Sequence, residues 1–231
     1  MTEKLEEQEG VHLFVKAGIN GRDLGDCPLC QRIHILLVLK KVEYYVHTVD
    51  MKKKTPEYRN ISGGKPPPMI CDVYGGNVVT KQDVARIADY LEQTIREPSL
   101  ECENEAANKV GIDLFRVFAG YMKNQDKTKD DALKAKLTEE LRSVDKFLKS
   151  DASPGCYLDG DTMKQPDCNL LPKLHHVKVA GRILKSFSIP DEFDAVHEYL
   201  NTWYATDVFE KTNYPDAEVE YGWKHTRLSH S

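Results

Sequence analysis

The chain of 231 residues lacks any long apolar run; the longest, Ile35–Leu39, is closed by Lys40 and Lys41. A membrane-spanning helix needs roughly 18 or more such residues, so the sequence predicts a water-soluble fold. It also lacks an excess of basic charge. Its 32 Lys and Arg stand against 37 Asp and Glu, a formal net charge of -5, which argues against a nucleic-acid partner. The one basic run, "MKKKTPEYR" over 51–59, reads as a solvated surface loop. The opening "MTEKLEEQEG" lacks the apolar segment of a secretory leader, and a cytoplasmic address follows. In that reducing compartment the six cysteines are thiols rather than a disulfide framework. Internal repeats and low-complexity tracts are also missing.

What is present has the periodicities of two domains. "VHLFVKAG" (11–18) reads as a buried strand and "VEYYVHTVD" (42–50) as a second. Between them, from Cys27 to about Lys41, Ile33, Leu36, Leu37 and Val38 fall at helical spacing, with Asp26 as the candidate N-cap. "KPPPMICDVYGGNVVT" reads as two strands around a turn at Gly75-Gly76. Residues 81–95 place Val84, Ile87, Ala88 and Leu91 on one helical face. After the junction around 97–103 only helical patterns follow: Glu105–Met122, Asp131–Leu148, Asp167–Leu184, Pro190–Thr202 and Trp203–Thr212. The expected fold class is an α/β thioredoxin-like N-terminal domain over 1–98 and an all-α C-terminal domain over 99–231.

The chemistry concentrates in "GDCPLCQRIHILLVL" (25–39). A cysteine at the start of a helix meets unpaired backbone N–H groups and the positive end of the helix dipole, which favour a thiolate. Such a thiol titrates below the free value of about 8.5. Cys27 is the attacking sulfur by position, and Cys30, one turn on, the resolving one. Pro28 suits a first turn, where its missing N–H would be unpaired anyway. Cys27, Cys30 and His34 could instead ligate a metal, but tetrahedral zinc wants four ligands and no second CxxC exists. Two inconsequential cysteines at a helix terminus are the third reading. The strand-helix-strand context favours redox chemistry. So does "KPPP" just before "MIC", since thioredoxin-like folds place a cis-proline there, opposite the active cysteine. Pro67 is the expected cis residue and Pro68 the fallback. For glutathione, Asp83 could meet the γ-glutamyl amine. Lys16 could meet a carboxylate or raise the thiolate population at Cys27.

"LFVKAG", "CPLCQR", "TVDMKKKTPEYR" and above all "DCNLLPKLHHVKV" (167–179) closely resemble the chloride intracellular channel family, whose members look like omega-class glutathione transferases. The resemblance covers about residues 11–222 and looks closer to invertebrate members. It implies a monomeric protein when reduced and a glutathione-dependent thiol–disulfide oxidoreductase acting on thiol and disulfide substrates. Cys27 corresponds to the active cysteine, and Lys16, Pro66, Pro67 and Asp83 to glutathione-pocket positions. It also implies possible partners in membrane lipid and chloride, because members are proposed to insert as anion channels under oxidising or acidic conditions. The proposed spanning segment maps to about Cys27–Val46, which holds Arg32, His34, Lys40, Lys41 and Glu43. Each charge at a bilayer centre costs about 2.5–3.5 kcal/mol, so a channel would need these paired or lining a pore. Three departures stand out. The long acidic loop is reduced to "SDASPGCYLDGD" (150–161), the basic nuclear-import cluster to Arg182 and Lys185, and Lys164 replaces the Thr expected before "DCNLL". His175 and His176 read as structural rather than as ligands.

Overall fold

The computed structural model describes residues 8–227. They form two compact units, one running to Leu100 and including Lys211–Tyr214, the other Glu101–Glu210 with the described residues from Pro215 on.

The first unit is built on a four-stranded sheet of order β2-β1-β3-β4, with β1 Gly10–Lys16, β2 Tyr44–Val49, β3 Met69–Tyr74 and β4 Asn77–Lys81. β1 pairs parallel to β2 and antiparallel to β3, and β3 pairs antiparallel to β4. The parallel step needs a crossover, which α1 (Pro28–Lys40) supplies. Ile33, Ile35, Leu36 and Leu37 of α1 are buried, packing against β1 and α3 (Val84–Thr94). Side chains alternate along a strand. Phe14, Met69, Cys71 and Val73 therefore share the other face, in one cluster with Val49 and Tyr58.

Tyr58 belongs to α2 (Pro56–Ser62), which corrects the reading of 51–59 as a plain loop. Thr55 caps this helix by accepting from the Tyr58 N–H at 3.2 Å, Pro56 fills its first position, and Gly63 closes it at φ 60°. Lys40, which closes the apolar run, is buried. Its ammonium pairs with Glu92 and donates to the Ile95 carbonyl at 2.6 Å and the Pro98 carbonyl at 2.9 Å.

The second unit is helical: α4 Glu105–Lys109, α5 Leu114–Lys123, α6 Asp130–Leu148, α7 Gln165–Lys185, α8 Asp194–Tyr204, α9 Asp207–Thr212 and α10 Asp216–Gly222, α9 ending in the first unit. The single helix expected over 105–122 is broken at Gly111, which sits at φ 62°. A Cβ there would come within 2.5 Å of Leu170. Trp203 belongs to α8 rather than to a helix of its own with Thr212, and α10 had no expected counterpart. α7 is the central element, packed by α4, α5, α8 and α10. Leu170, Leu171, Leu174 and Val177 along it are fully buried. His175 bonds the Tyr204 hydroxyl at 3.0 Å, and His176 Nδ1 accepts from the Trp223 indole at 3.1 Å. Among the described residues no helix is long and apolar enough to cross a membrane.

Candidate functional site

β1 ends at Lys16, and the chain returns on itself before entering α1. Ala17 and Leu24 form an isolated bridge, and the Gly25 N–H donates to the Lys16 carbonyl at 2.8 Å. This approach is so close that a Cβ on Gly25 would lie 2.4 Å from the Ala17 carbonyl oxygen. Gly25 thus fixes where the next residues stand.

The residue that caps α1 is Cys27, not Asp26. Cys27 has the extended backbone of an N-cap (φ -108°, ψ 105°), and Pro28 opens the helix. The Cys27 sulfur accepts from the Cys30 N–H at 3.4 Å. Asp26 is unsuited to the cap because its carboxylate is buried against the Lys16 ammonium. That pair also redefines Lys16: its charge is held by Asp26, one residue before Cys27. The Lys16 backbone N–H points at the Cys30 sulfur at 3.4 Å.

The two cysteines differ in environment. Cys27 is partly exposed and Cys30 is buried. Burial first, then the adjacent Cys27, push the Cys30 thiol well above its usual range, against a smaller pull from Lys16. The remaining thiols are poor rivals. Burial raises Cys71 and Cys156, burial and the Asp159 carboxylate lift Cys102 to about 11, and Cys168 is fully buried. All six are free thiols. His34, the third residue of the metal reading, bonds the Tyr44 hydroxyl at 3.1 Å, and burial lowers its pKa to about 4. Among the described residues no group of three or more His, Cys, Asp or Glu could hold a metal ion.

The antiparallel register, in which Phe14 faces Met69, brings the residues just before β3 to the end of the sheet where Lys16 lies. The cis bond is Pro67–Pro68, so Pro68 and not Pro67 is the cis residue. Both X–Pro bonds permit cis at low cost, and the sequence offered no way to choose between them. The residue preceding the cis-proline is therefore Pro67, which is buried, whereas Pro66 is exposed. A second cis bond, Glu97–Pro98, was not anticipated. Asp83 caps α3, accepting from the Arg86 N–H at 3.0 Å. Cys27, Cys30, Lys16 and Asp26 are thus joined by direct contacts, Pro67 is brought to the same end of the sheet, and Pro66 and Asp83 stand apart from that network. Asp26 and Gly25 are the two residues whose roles sequence reasoning missed.

Residues 9–98 match the CLIC-like N-terminal domain family. Over nearly its whole length the chain is similar to several solved structures. One is the dehydroascorbate reductase of Chlamydomonas reinhardtii, at 28% identity and a TM-score of 0.83, covering 93% of this chain and 97% of that one. The CLIC homologue EXC-4 from C. elegans follows at 23% identity and 0.78, covering 96% and 84%. Glutathione transferase Omega 3C from Trametes versicolor matches at 18% and 0.72, covering 92% and 95%. The last two likenesses speak for the fold alone: a thioredoxin-like domain followed by an all-helical one, as the strand and helix periodicities implied.

Proposed function

We propose that this chain, whose residues 9–98 match the CLIC-like N-terminal domain, is a glutathione-dependent thiol–disulfide oxidoreductase of the glutaredoxin type, working in a reducing cytoplasm. The observation that carries this reading is Cys27 as a partly exposed N-cap, with the Cys30 N–H on its sulfur and the Cys30 thiol buried one turn behind.

The chemistry is disulfide exchange. The Cys27 thiolate attacks the glutathionyl sulfur of a mixed disulfide. A Cys27–glutathione disulfide forms, the substrate sulfur leaves as thiolate and takes its proton from water. A second glutathione thiolate then attacks that disulfide, so that oxidised glutathione departs and the Cys27 thiolate returns. Cys30 can replace the second glutathione only after losing its proton, which its burial opposes. Glutathione is the better resolving thiol.

The chain's groups fit glutathione in part. Asp83 has one carboxylate oxygen committed to Arg86, leaving the other for the γ-glutamyl ammonium. Lys16 acts through Asp26 and the thiol pair rather than as an open cation. Residues 66–68 are all proline, so they offer the cysteinyl backbone carbonyl acceptors and no N–H donor. Binding there rests on one type of hydrogen bond where two are usual in strand pairing.

The test is turnover of a glutathione mixed disulfide, and of dehydroascorbate in view of the reductase likeness. Cys27→Ser should abolish turnover and Cys30→Ser should keep most of it. Activity surviving in Cys27→Ser would overturn the reading. Membrane association and anion conduction rest on the CLIC-like resemblance, and a liposome chloride-efflux assay addresses them.

A further inference from the structure

The face of the sheet that carries α2 holds a second group of reactive and ring-bearing side chains that disulfide exchange does not use. His12 and Phe14 of β1, His47 of β2 and Tyr58 of α2 form a continuous ring stack. His12–His47 centroids lie 5.2 Å apart, Phe14–His47 4.8 Å at 23° between planes, and Phe14–Tyr58 5.7 Å. Beside it opens a cleft of about 500 Å³ whose lining includes Phe14, His47, Tyr58, Asp50 and Lys53. That size lies within the range of small-molecule sites. Cys27, Cys30, Pro67 and Asp83 do not line it.

The hydrogen-bond network fixes which atoms the cleft offers. His12 Nε2 lies 2.8 Å from the Gln8 carbonyl oxygen, which can only accept, so this nitrogen carries the proton. Neutral His12 then presents a lone pair at Nδ1, 2.9 Å from His47 Nε2, and His47 must donate there. Neutral His47 is left with an acceptor at Nδ1 that has no protein partner among the described residues. Asp50 spends one carboxylate oxygen on the Lys52 N–H at 2.8 Å. The Lys53 ammonium has no partner among the described residues. The cleft therefore offers the half-buried His47 ring with its acceptor, the Asp50 anion and the Lys53 cation, beside Thr48 and Thr55.

We propose that this cleft binds a small zwitterion with a planar ring bearing an N–H or O–H donor, the chemistry of an aromatic α-amino acid. The ring lies in the cleft beside the half-buried His47 and gives its donor hydrogen to His47 Nδ1. The ligand's ammonium faces Asp50 and its carboxylate faces Lys53. A ligand of one charge only would satisfy one of these groups and leave the other opposed or unmatched. The site involves no thiol and is independent of the exchange chemistry.

L-Tryptophan titrated into the reduced full-length protein, followed by calorimetry and amide NMR shifts, tests this. Saturable binding is expected, with shifts at Gly21, Val46, Thr48, Asp50 and Thr55. Tryptamine, indole-3-propionate and 1-methyltryptophan, each lacking one recognised group, should bind about three- to tenfold more weakly. Lys53 is exposed, so Lys53→Ala keeps the fold. It should weaken tryptophan about threefold and leave tryptamine unchanged. Cys27→Ser should bind tryptophan like the wild type, and glutathione should not displace it. Absence of saturable binding at millimolar tryptophan, shifts centred outside the cleft, or a Lys53→Ala effect equal on both ligands would overturn the proposal.

Discussion

Of the three helices among the described residues with a proline in the first turn, α1 and α7 end their resemblance there. α1 starts at Pro28 behind Cys27, α7 at Gln165-Pro166 behind Lys164. Both present unpaired N–H groups and the positive end of a dipole. At α7 the fully buried Asp167 carboxylate seals that end, accepting from the Lys164 N–H at 2.8 Å, the Leu158 N–H at 2.9 Å and the Tyr199 hydroxyl at 2.7 Å. At α1 the counterpart is a partly exposed sulfur 3.4 Å from one N–H, and sulfur is a weak acceptor. A satisfied helix start is a structural joint. A start held by a weak acceptor leaves its field for a thiolate and for whatever sulfur attacks or leaves there.

The largest test of this contrast is at the sealed end. Asp167→Ala strips three donors, two of them buried, of their acceptor at once, and each unsatisfied buried group costs about 1–3 kcal/mol. A loss of about 3–5 kcal/mol is expected in urea unfolding, within the range for breaking a buried charged network. Asp167→Asn keeps an acceptor oxygen for Leu158 and Tyr199, and turns an N–H group toward that of Lys164. It should fall between wild type and Ala. Equal losses for Ala and Asn would mean that charge, not the count of donors, dominates at that cap.

At the open end the stability resides in the approach, not the cap. Gly25→Ala drives a methyl into the backbone of Ala17, and backbone cannot step aside as a side chain can. About 2–3 kcal/mol of destabilisation is expected, together with lost turnover, because Cys27 stands two residues on. Unchanged stability would show that the loop 17–25 can shift without cost.

Gly25 also marks the limit of what the sequence makes legible. The strand-helix-strand-hairpin-helix order, the hairpin at Gly75-Gly76 and the position of Cys27 follow from local signals: period, turn residues and a proline in a first turn. α2 was equally legible, since Thr55-Pro56 and Gly63 are start and stop signals, but the lysines before them drew attention to solvation. The Asp26–Lys16 pair, the collision that reserves position 25 for glycine and the break at Gly111 against Leu170 are different in kind. Each depends on a partner distant in the chain, so no local pattern announces them. The cis bond at Pro68 rather than Pro67 belongs to the same class, because both bonds read alike until β3 is placed beside β1.

Acid should act on both units, through one buried histidine in each. Burial lowers His34 in the first unit to about 4 and His175 in the second to about 4. The unfolded chain takes up a proton near its ordinary value of about 6.5, while the folded units do not until about 4. Protons therefore favour the unfolded state across that window, and stability falls as pH drops from about 6.5 to about 4. Each histidine should cost about 2 kcal/mol between pH 7 and pH 5. His34→Phe should flatten that slope by the same amount. A slope unchanged by the substitution would place the acid sensitivity on other groups.

The smallest expected effect is the one that separates the two helix starts most sharply. Cys27→Ser replaces a weak sulfur acceptor by a hydroxyl, and serine is among the preferred N-cap residues. Its oxygen is smaller and sits closer to the backbone, so the contact to the Cys30 N–H should shorten. Removing a good cap altogether costs about 0.5–2 kcal/mol. Exchanging a poor one for a better one should change stability by less than about 1 kcal/mol, in the stabilising direction if in any. Under the proposed function the same substitution also removes the attacking sulfur, and burial pushes the neighbouring Cys30 thiol well above its usual range. Urea unfolding and mixed-disulfide turnover on one preparation measure both. Stability kept or raised with turnover gone assigns Cys27 to chemistry and not to architecture. A destabilisation comparable to that of Asp167→Ala would mean that the α1 start, like that of α7, is a structural joint whose sulfur holds the fold.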